Sequence, residues 1–310
     1  MRSHRHSLHL LVALTLLTLV VGPVAAKSFG DWSTPRSLES LPGSGAEVNT
    51  ASSDGCPILS PDGLSLYTAS NRPGGEGGID IWVAHRSSTD EGFGDPVNLG
   101  PPVNSAADDF CPTPVRGKGL FFVSRRAGGC GPNSADIYFA RNNPAHGWTS
   151  AQHLGCTLNS AGDEFSPAYL EENGINVLYF SSNRGGDHDI YRSVQQADGS
   201  FAAATAVAEL NTTANDFRPN VRRDGLEIVF DSDRAGGYGA TDLYAATRSS
   251  VGDTWSTAAN LGSEINSAAG ESRASLSWDG RTLLFGSGKP GGEGSADMYY
   301  STRERLDGNP

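Results

Sequence analysis

Two matched sets of five residues in this chain have types and spacing that could do chemistry. One set is acidic: Asp54, Asp109, Glu164, Asp216 and Glu271. The other is basic: Arg72, Arg126, Arg184, Arg234 and Lys289. Gathered around one channel, five carboxylates could hold a hard cation such as calcium, which prefers oxygen ligands. Paired with the five bases, they would instead brace the structure. The regular recurrence favours bracing, because each acid has its own base at a similar distance along the chain. Lys289 can serve there as a point charge but not as a bidentate fork. No stretch resembles a calcium loop, so calcium is not indicated by a motif and no cofactor is expected.

The remaining reactive residues are fewer. His188 sits between Asp187 and Asp189, which reads as a polar loop. Glycine-rich stretches at 73–77, 127–131, 235–239 and 290–294 look like phosphate cradles, but no helix is expected after any of them, and a phosphate loop needs a helix N-terminus. No Gly-x-Ser-x-Gly elbow is present. Four cysteines remain, Cys56, Cys111, Cys130 and Cys156, without zinc-finger spacing, so no metal site is expected. An even number of cysteines in an exported chain favours disulfides. Cys130 with Cys156, and Cys56 with Cys111, are the expected pairs. No catalytic residue is assigned.

Export is read from residues 1–26. Arg2 and Arg5 precede an almost continuous apolar run from Leu8 to Val21, and Val24-Ala25-Ala26 supplies small residues for cleavage. That is the layout of a signal peptide, too short in its apolar core to span a bilayer. The chain is expected to be periplasmic or secreted, with no membrane insertion after cleavage. Losing two arginines with the signal takes the net charge from −12 to −14. Such an acidic surface repels phosphate backbones, which excludes nucleic acid as a partner. Thirty-nine glycines and 17 prolines imply many tight turns and few helices.

The elements that position the two sets come from an internal repeat. An Asn-Ser or Asn-Thr pair starts at Asn49, Asn104, Asn159, Asn211 and Asn266, in steps of 55, 55, 52 and 55 residues. Five residues after each Asn stands the acid, then a short strand-like piece. In three units an Asp-Gly turn follows (Asp62-Gly63, Asp224-Gly225, Asp279-Gly280), a hairpin signal. The second strand is apolar at nearly every position, as expected of a strand covered on both faces. A basic residue and a glycine-rich loop lead to a third strand opening on Asp80, Asp136, Asp189, Asp242 or Asp297. The acid of a blade is expected to approach both its base and this aspartate. A fourth strand runs from an aromatic to an apolar residue six later: Phe93 to Leu99, Trp148 to Leu154, Phe201 to Val207, Trp255 to Leu261. The fifth unit lacks one, but Trp32 to Leu38 has the same spacing near the other end. The reading is all-β: residues 27–310 form a single five-bladed β-propeller domain, with four antiparallel strands per blade and the last blade closed by the N-terminal strand.

Ser60-Pro61-Asp62-Gly63, Ser70-Asn71-Arg72-Pro73-Gly74-Gly75 and Asp80-Ile81-Trp82, repeated in weaker form through residues 32–303, resemble the TolB-like propeller repeat, a WD-repeat-like family of exported bacterial proteins. The resemblance implies a protein-interaction platform in the periplasm. TolB itself has six blades and a separate N-terminal domain, so a role in the Tol system is not implied. The expected function is a monomeric, non-enzymatic binding or scaffold module that docks a protein or glycan at one face. The alternative is a secreted carbohydrate-active hydrolase using channel carboxylates. Five-bladed glycosidases place such groups on successive inner strands, an outline that Asp54, Asp109 and Glu164 fit. Asp216 and Glu271 hold the equivalent positions, so nothing marks the first three.

Overall fold

The computed structural model describes residues 29–143 and 145–306, and the expected signal peptide lies outside them. Five antiparallel sheets follow one another along the chain. Their inner strands are Asp54–Leu59, Asp109–Val115, Glu164–Glu172, Asp216–Val221 and Glu271–Leu276. Outward from each lies a second strand (Ser65–Ser70, Gly119–Ser124, Ile175–Ser182, Glu227–Ser232, Thr282–Ser287) and a third (Asp80–His85, Asp136–Asn143, Asp189–Val194, Asp242–Thr247, Asp297–Thr302). The fold is the five-bladed propeller that the repeat implies.

Local chemistry sets each hairpin. At the Asp-Gly turns, the aspartate accepts from the backbone two residues on: Leu64 N–H to Asp62, 3.1 Å; Leu226 to Asp224, 3.1 Å; Arg281 to Asp279, 3.0 Å. The glycine takes φ of +74°, +72° or +76°, which a side chain would resist. The second strands carry the core. All six residues of Gly119–Ser124 and of Glu227–Ser232 are buried, since blades cover both faces.

The fourth strands are shorter than the aromatic-to-apolar spacing predicts. Val97–Asn98, Gln152–His153, Thr205–Ala206, Ala259–Asn260 and Arg36–Ser37 are two residues each. The preceding aromatic is an anchor rather than a strand residue: Phe93, Phe201 and Trp255 are buried. An outermost strand is bonded on one side only, so burial of the aromatic fixes its path better than pairing does.

The ring closes as expected. Arg36 and Ser37 pair with Tyr300 and Tyr299, and Leu38 is fully buried with Val48, Leu66, Phe93, Leu284 and Met298, drawn from the first and last blades. The repeating asparagines turn out to be the staples between blades. Each side-chain amide bonds the backbone N–H and C=O of one third-strand residue in the preceding blade. Asn104 holds Ile81 (2.9 and 2.9 Å), Asn159 holds Ile137 (2.9 and 3.2 Å), Asn211 holds Ile190 (2.7 and 3.1 Å) and Asn266 holds Leu243 (2.8 and 3.0 Å). Asn49 holds Met298 (2.7 and 3.3 Å), which carries the last blade onto the first.

Candidate functional site

The two recurring sets come together, blade by blade. Asp54, Asp109, Glu164, Asp216 and Glu271 are fully buried. Arg72 lies 2.5 Å from Asp54, Arg126 2.6 Å from Asp109 and Arg184 3.1 Å from Glu164, and Arg234 pairs with Asp216. A hydroxyl and backbone N–H of the Asn-Ser or Asn-Thr pair complete each carboxylate: Thr50 to Asp54 (2.8 and 2.7 Å), Ser105 to Asp109 (2.7 and 2.7 Å), Ser267 to Glu271 (2.6 and 2.8 Å). In the last blade Lys289 does not reach Glu271. Its ammonium sits 3.7 Å from the Tyr299 ring centre, and the shorter, unforked charge explains the difference. With their oxygens occupied in this way, the five acids brace the blades. They are not presented to the channel as the hydrolase outline for Asp54, Asp109 and Glu164 requires.

The third-strand aspartates do not join these pairs, contrary to expectation. Four of the five clamp the glycine-rich loops instead. Asp80 accepts from Glu76 N–H (2.6 Å), Asp136 from Cys130 N–H (2.6 Å), Asp242 from Tyr238 N–H (2.6 Å) and Asp297 from Glu293 N–H (3.1 Å). The clamped amide stands four positions after the base, so the two jobs fall to different acids. In the second blade the loop is also tied by the Cys130–Cys156 disulfide, as expected. His153 Nε2 lies 2.8 Å from Asp136 beside this bond, a contact that the sequence reading missed. Cys130, Asp136 and His153 are close enough to suggest a metal site, but the sulfur of Cys130 is already bonded.

The channel itself is lined by residues outside the two recurring sets of acids and bases. The third residue of each inner strand is Cys56, Cys111, Ser166, Arg218 or Arg273, and each has a left-handed backbone, φ +48° to +59°. These are bulges, where the register with the second strand shifts. Proline follows in four of the five, suited to a bulge because it has no N–H to leave unpaired. The bulge turns the third side chain toward the axis. Cys56 and Cys111 meet there with Sγ atoms 2.9 Å apart, as free thiols rather than the expected disulfide. Arg218 forks onto buried Asp231, with Nε at 2.9 Å from Oδ2, and Arg273 N–H donates to the same carboxylate at 2.9 Å. The Arg273 guanidinium lies so close over Gly55 that a Cβ there would come within 2.8 Å of it.

Below this ring, where the inner strands end in hairpins, the channel widens into a cleft of about 400 Å³. Tyr169 and Trp278 supply aromatic surface; Arg116, Lys118 and Arg223 bring positive charge; Glu171 is its carboxylate. The Arg223 guanidinium stacks 4.2 Å from the Trp278 ring centre. Trp278 also borders two neighbouring clefts of about 520 and 600 Å³, so it stands at the centre of this face. The opposite mouth is packed with rings. His188 lies between Phe165 and Phe217, with centroids 4.9 and 4.7 Å away. Burial lowers its pKa to about 4. His188 is therefore a neutral, buried packing residue, and not the polar-loop residue that Asp187 and Asp189 on either side of it suggest.

No protein-family model matches the chain, and no curated protein sequence matches it. Solved structures do. An α-L-arabinofuranosidase from Lactobacillus brevis is 11% identical with a TM-score of 0.57, the match covering 84% of this chain and 95% of that one. An endo-arabinase from Bacteroides thetaiotaomicron is 13% identical with a TM-score of 0.53, covering 91% and 100%. TolB from Acinetobacter baumannii is also among the structural neighbours, at 14% identity and a TM-score of 0.46 over 80% of this chain and 53% of that one. At such identities the likeness establishes the fold. It also overturns the expectation of a non-enzymatic platform. That expectation rested on the lack of a recognisable catalytic motif, yet this frame is shared nearly end to end with glycoside-cleaving enzymes.

Proposed function

We propose that the chain is an exported carbohydrate-active hydrolase whose glycan sits at the hairpin-side mouth of the channel. The observation that carries this reading is the 400 Å³ cleft, which joins an aromatic platform to a carboxylate. Its volume suits a few sugar units. A sugar's C–H face packs on an aromatic ring such as that of Trp278 or Tyr169. Glu171 is exposed there and supplies one of the two carboxyl groups that glycoside hydrolysis uses, placed to act at the glycosidic oxygen or the attacking water. The buried, ion-paired Asp54, Asp109 and Glu164 would have to abandon their bases to do so.

The charge of the cleft narrows the substrate. Three cations and one acid line it in a chain of net charge −12. Such a local reversal of sign draws in an anionic ligand, so the glycan is one that carries carboxylate or sulfate groups. The test is release of reducing ends from a panel that includes polyuronates, sulfated glycans and neutral arabinan. Turnover of an acidic member, with KM raised about tenfold or more by Trp278→Ala, is expected. No turnover on any member would overturn the reading.

A further inference from the structure

The channel ring holds a group that the proposed hydrolysis does not use. Cys56 and Cys111 stand at equivalent positions on neighbouring inner strands, with their sulfurs 2.9 Å apart. Both are buried, and both line a small internal space of about 30 Å³, together with Ser166 and Arg273. That is room for one or two water-sized molecules, enough for hydrogen peroxide. Ile58, Thr113 and Asn220 border both this space and the wide cleft, so the two are consecutive stretches of one passage. A small molecule entering the cleft has a route to the sulfurs, and a protein or bulky disulfide does not.

The surroundings separate the two thiols chemically. Burial pushes the Cys111 thiol up, but the hydrogen bond with Cys56, the Arg273 charge, the Ser166 hydroxyl and the Arg218 charge outweigh it and bring the pKa down to about 6. Burial and the neighbouring Cys111 hold the Cys56 thiol well above its usual range. One proton leaves the pair early and the other late. The pair thus holds one thiolate and one thiol, with the charge shared between sulfurs in contact.

We propose that Cys56 and Cys111 form a redox pair in the propeller channel, closed to a second, inter-blade disulfide by a small hydroperoxide entering from the hairpin-side cleft. The thiolate sulfur of the pair attacks one peroxide oxygen. An S–O bond forms, the O–O bond breaks, and the leaving hydroxide takes up a proton to become water. The second sulfur then attacks the oxidised one. The S–S bond forms, the S–O bond breaks, and the proton of the second thiol leaves with the oxygen as a second water. Two thiols lose two electrons, which hydrogen peroxide accepts in becoming two waters. The contact distance means that the second step needs only a small closure between neighbouring strands. This inference does not depend on the hydrolase reading.

The experiment starts from folded protein with Cys130–Cys156 intact and the other two thiols free. It is treated with hydrogen peroxide and, separately, with an aromatic disulfide reagent. Peroxide is expected to remove about 2 Da, two hydrogens, and to join the peptides carrying Cys56 and Cys111. The rate should rise as pH passes through about 6, where the pair loses its first proton. The aromatic reagent is expected to react only after denaturation. In Cys56→Ser and in Cys111→Ser, a sulfenic-acid trap should label the remaining cysteine of the pair. Thiols that stay free in folded wild-type protein under peroxide, or an aromatic reagent that reacts as fast with folded as with denatured protein, would overturn the proposal. The wild-type mapping needs no variant to fold.

Discussion

At the scale of single residues, what matters is which partner each charge has found. Arg126 meets a fully buried Asp109, whereas Lys289, the repeat's equivalent, rests on Tyr299. Removing one member of a buried pair leaves an uncompensated charge, at a cost of about 3–5 kcal/mol. Arg126 is 20% exposed, which places Arg126→Ala toward the low end of that range. Lys289→Ala forfeits a cation–π contact of about 0.5–1 kcal/mol. Denaturant unfolding of the two variants should show this inequality, and equal losses would refute the bracing role. His188 gives a pH test. Its folded pKa is lowered to about 4 by burial, against an ordinary 6.5, so between those values the unfolded chain binds the extra proton. The contribution is full above pH 6.5 and is lost as pH falls toward 4. Glu39, raised to about 7 first by burial, works in the opposite direction over an overlapping range, so the readout is a difference. Wild type minus His188→Phe should lose stability on acidification from pH 6.5 to 4, and a flat difference would contradict the neutral packing role.

At the scale of elements, closure of the ring rests on a short N-terminal segment. Leu38 is fully buried across the first and last blades, and Leu38→Ala should cost about 2–5 kcal/mol. The asparagine staples are a second device, and each serves a donor and an acceptor of the preceding blade. Asn104→Ala strands the N–H and C=O of Ile81 and should cost about 1–3 kcal/mol, read in the same unfolding assay. Much of this was legible in the sequence. The steps from Asn49 to Asn266, the acid five residues on and the displaced Trp32–Leu38 strand describe a closed five-bladed ring without coordinates. The asparagines were visible as a pattern but not as staples, because their partners lie on the previous blade at a distance that the repeat does not encode. The third-strand aspartates were misread for a similar reason. Two acids and one base at the same end of a blade suit either pairing, and loop geometry makes the choice.

At the scale of the molecule, the repeat both reveals the fold and hides the site. Residues that recur five times hold the blades together, so chemistry specific to this chain has to come from positions where symmetry breaks. The channel ring shows this: one bulge position carries Cys56, Cys111, Ser166, Arg218 and Arg273 in turn. The hairpin-side mouth shows it again: the position seven residues after each recurring acid carries Pro61, Arg116, Glu171, Arg223 and Trp278 in turn. The central claim is that hydrolysis happens at this mouth and not among the five buried acids. Its most direct test is the rate of reducing-end release by Glu171→Gln on the best glycan of the panel, with the melting temperature measured alongside. Glu171 is exposed, so the substitution should leave melting unchanged while lowering kcat by about 100-fold or more. A folded Glu171→Gln protein that cleaves at the wild-type rate would contradict the account.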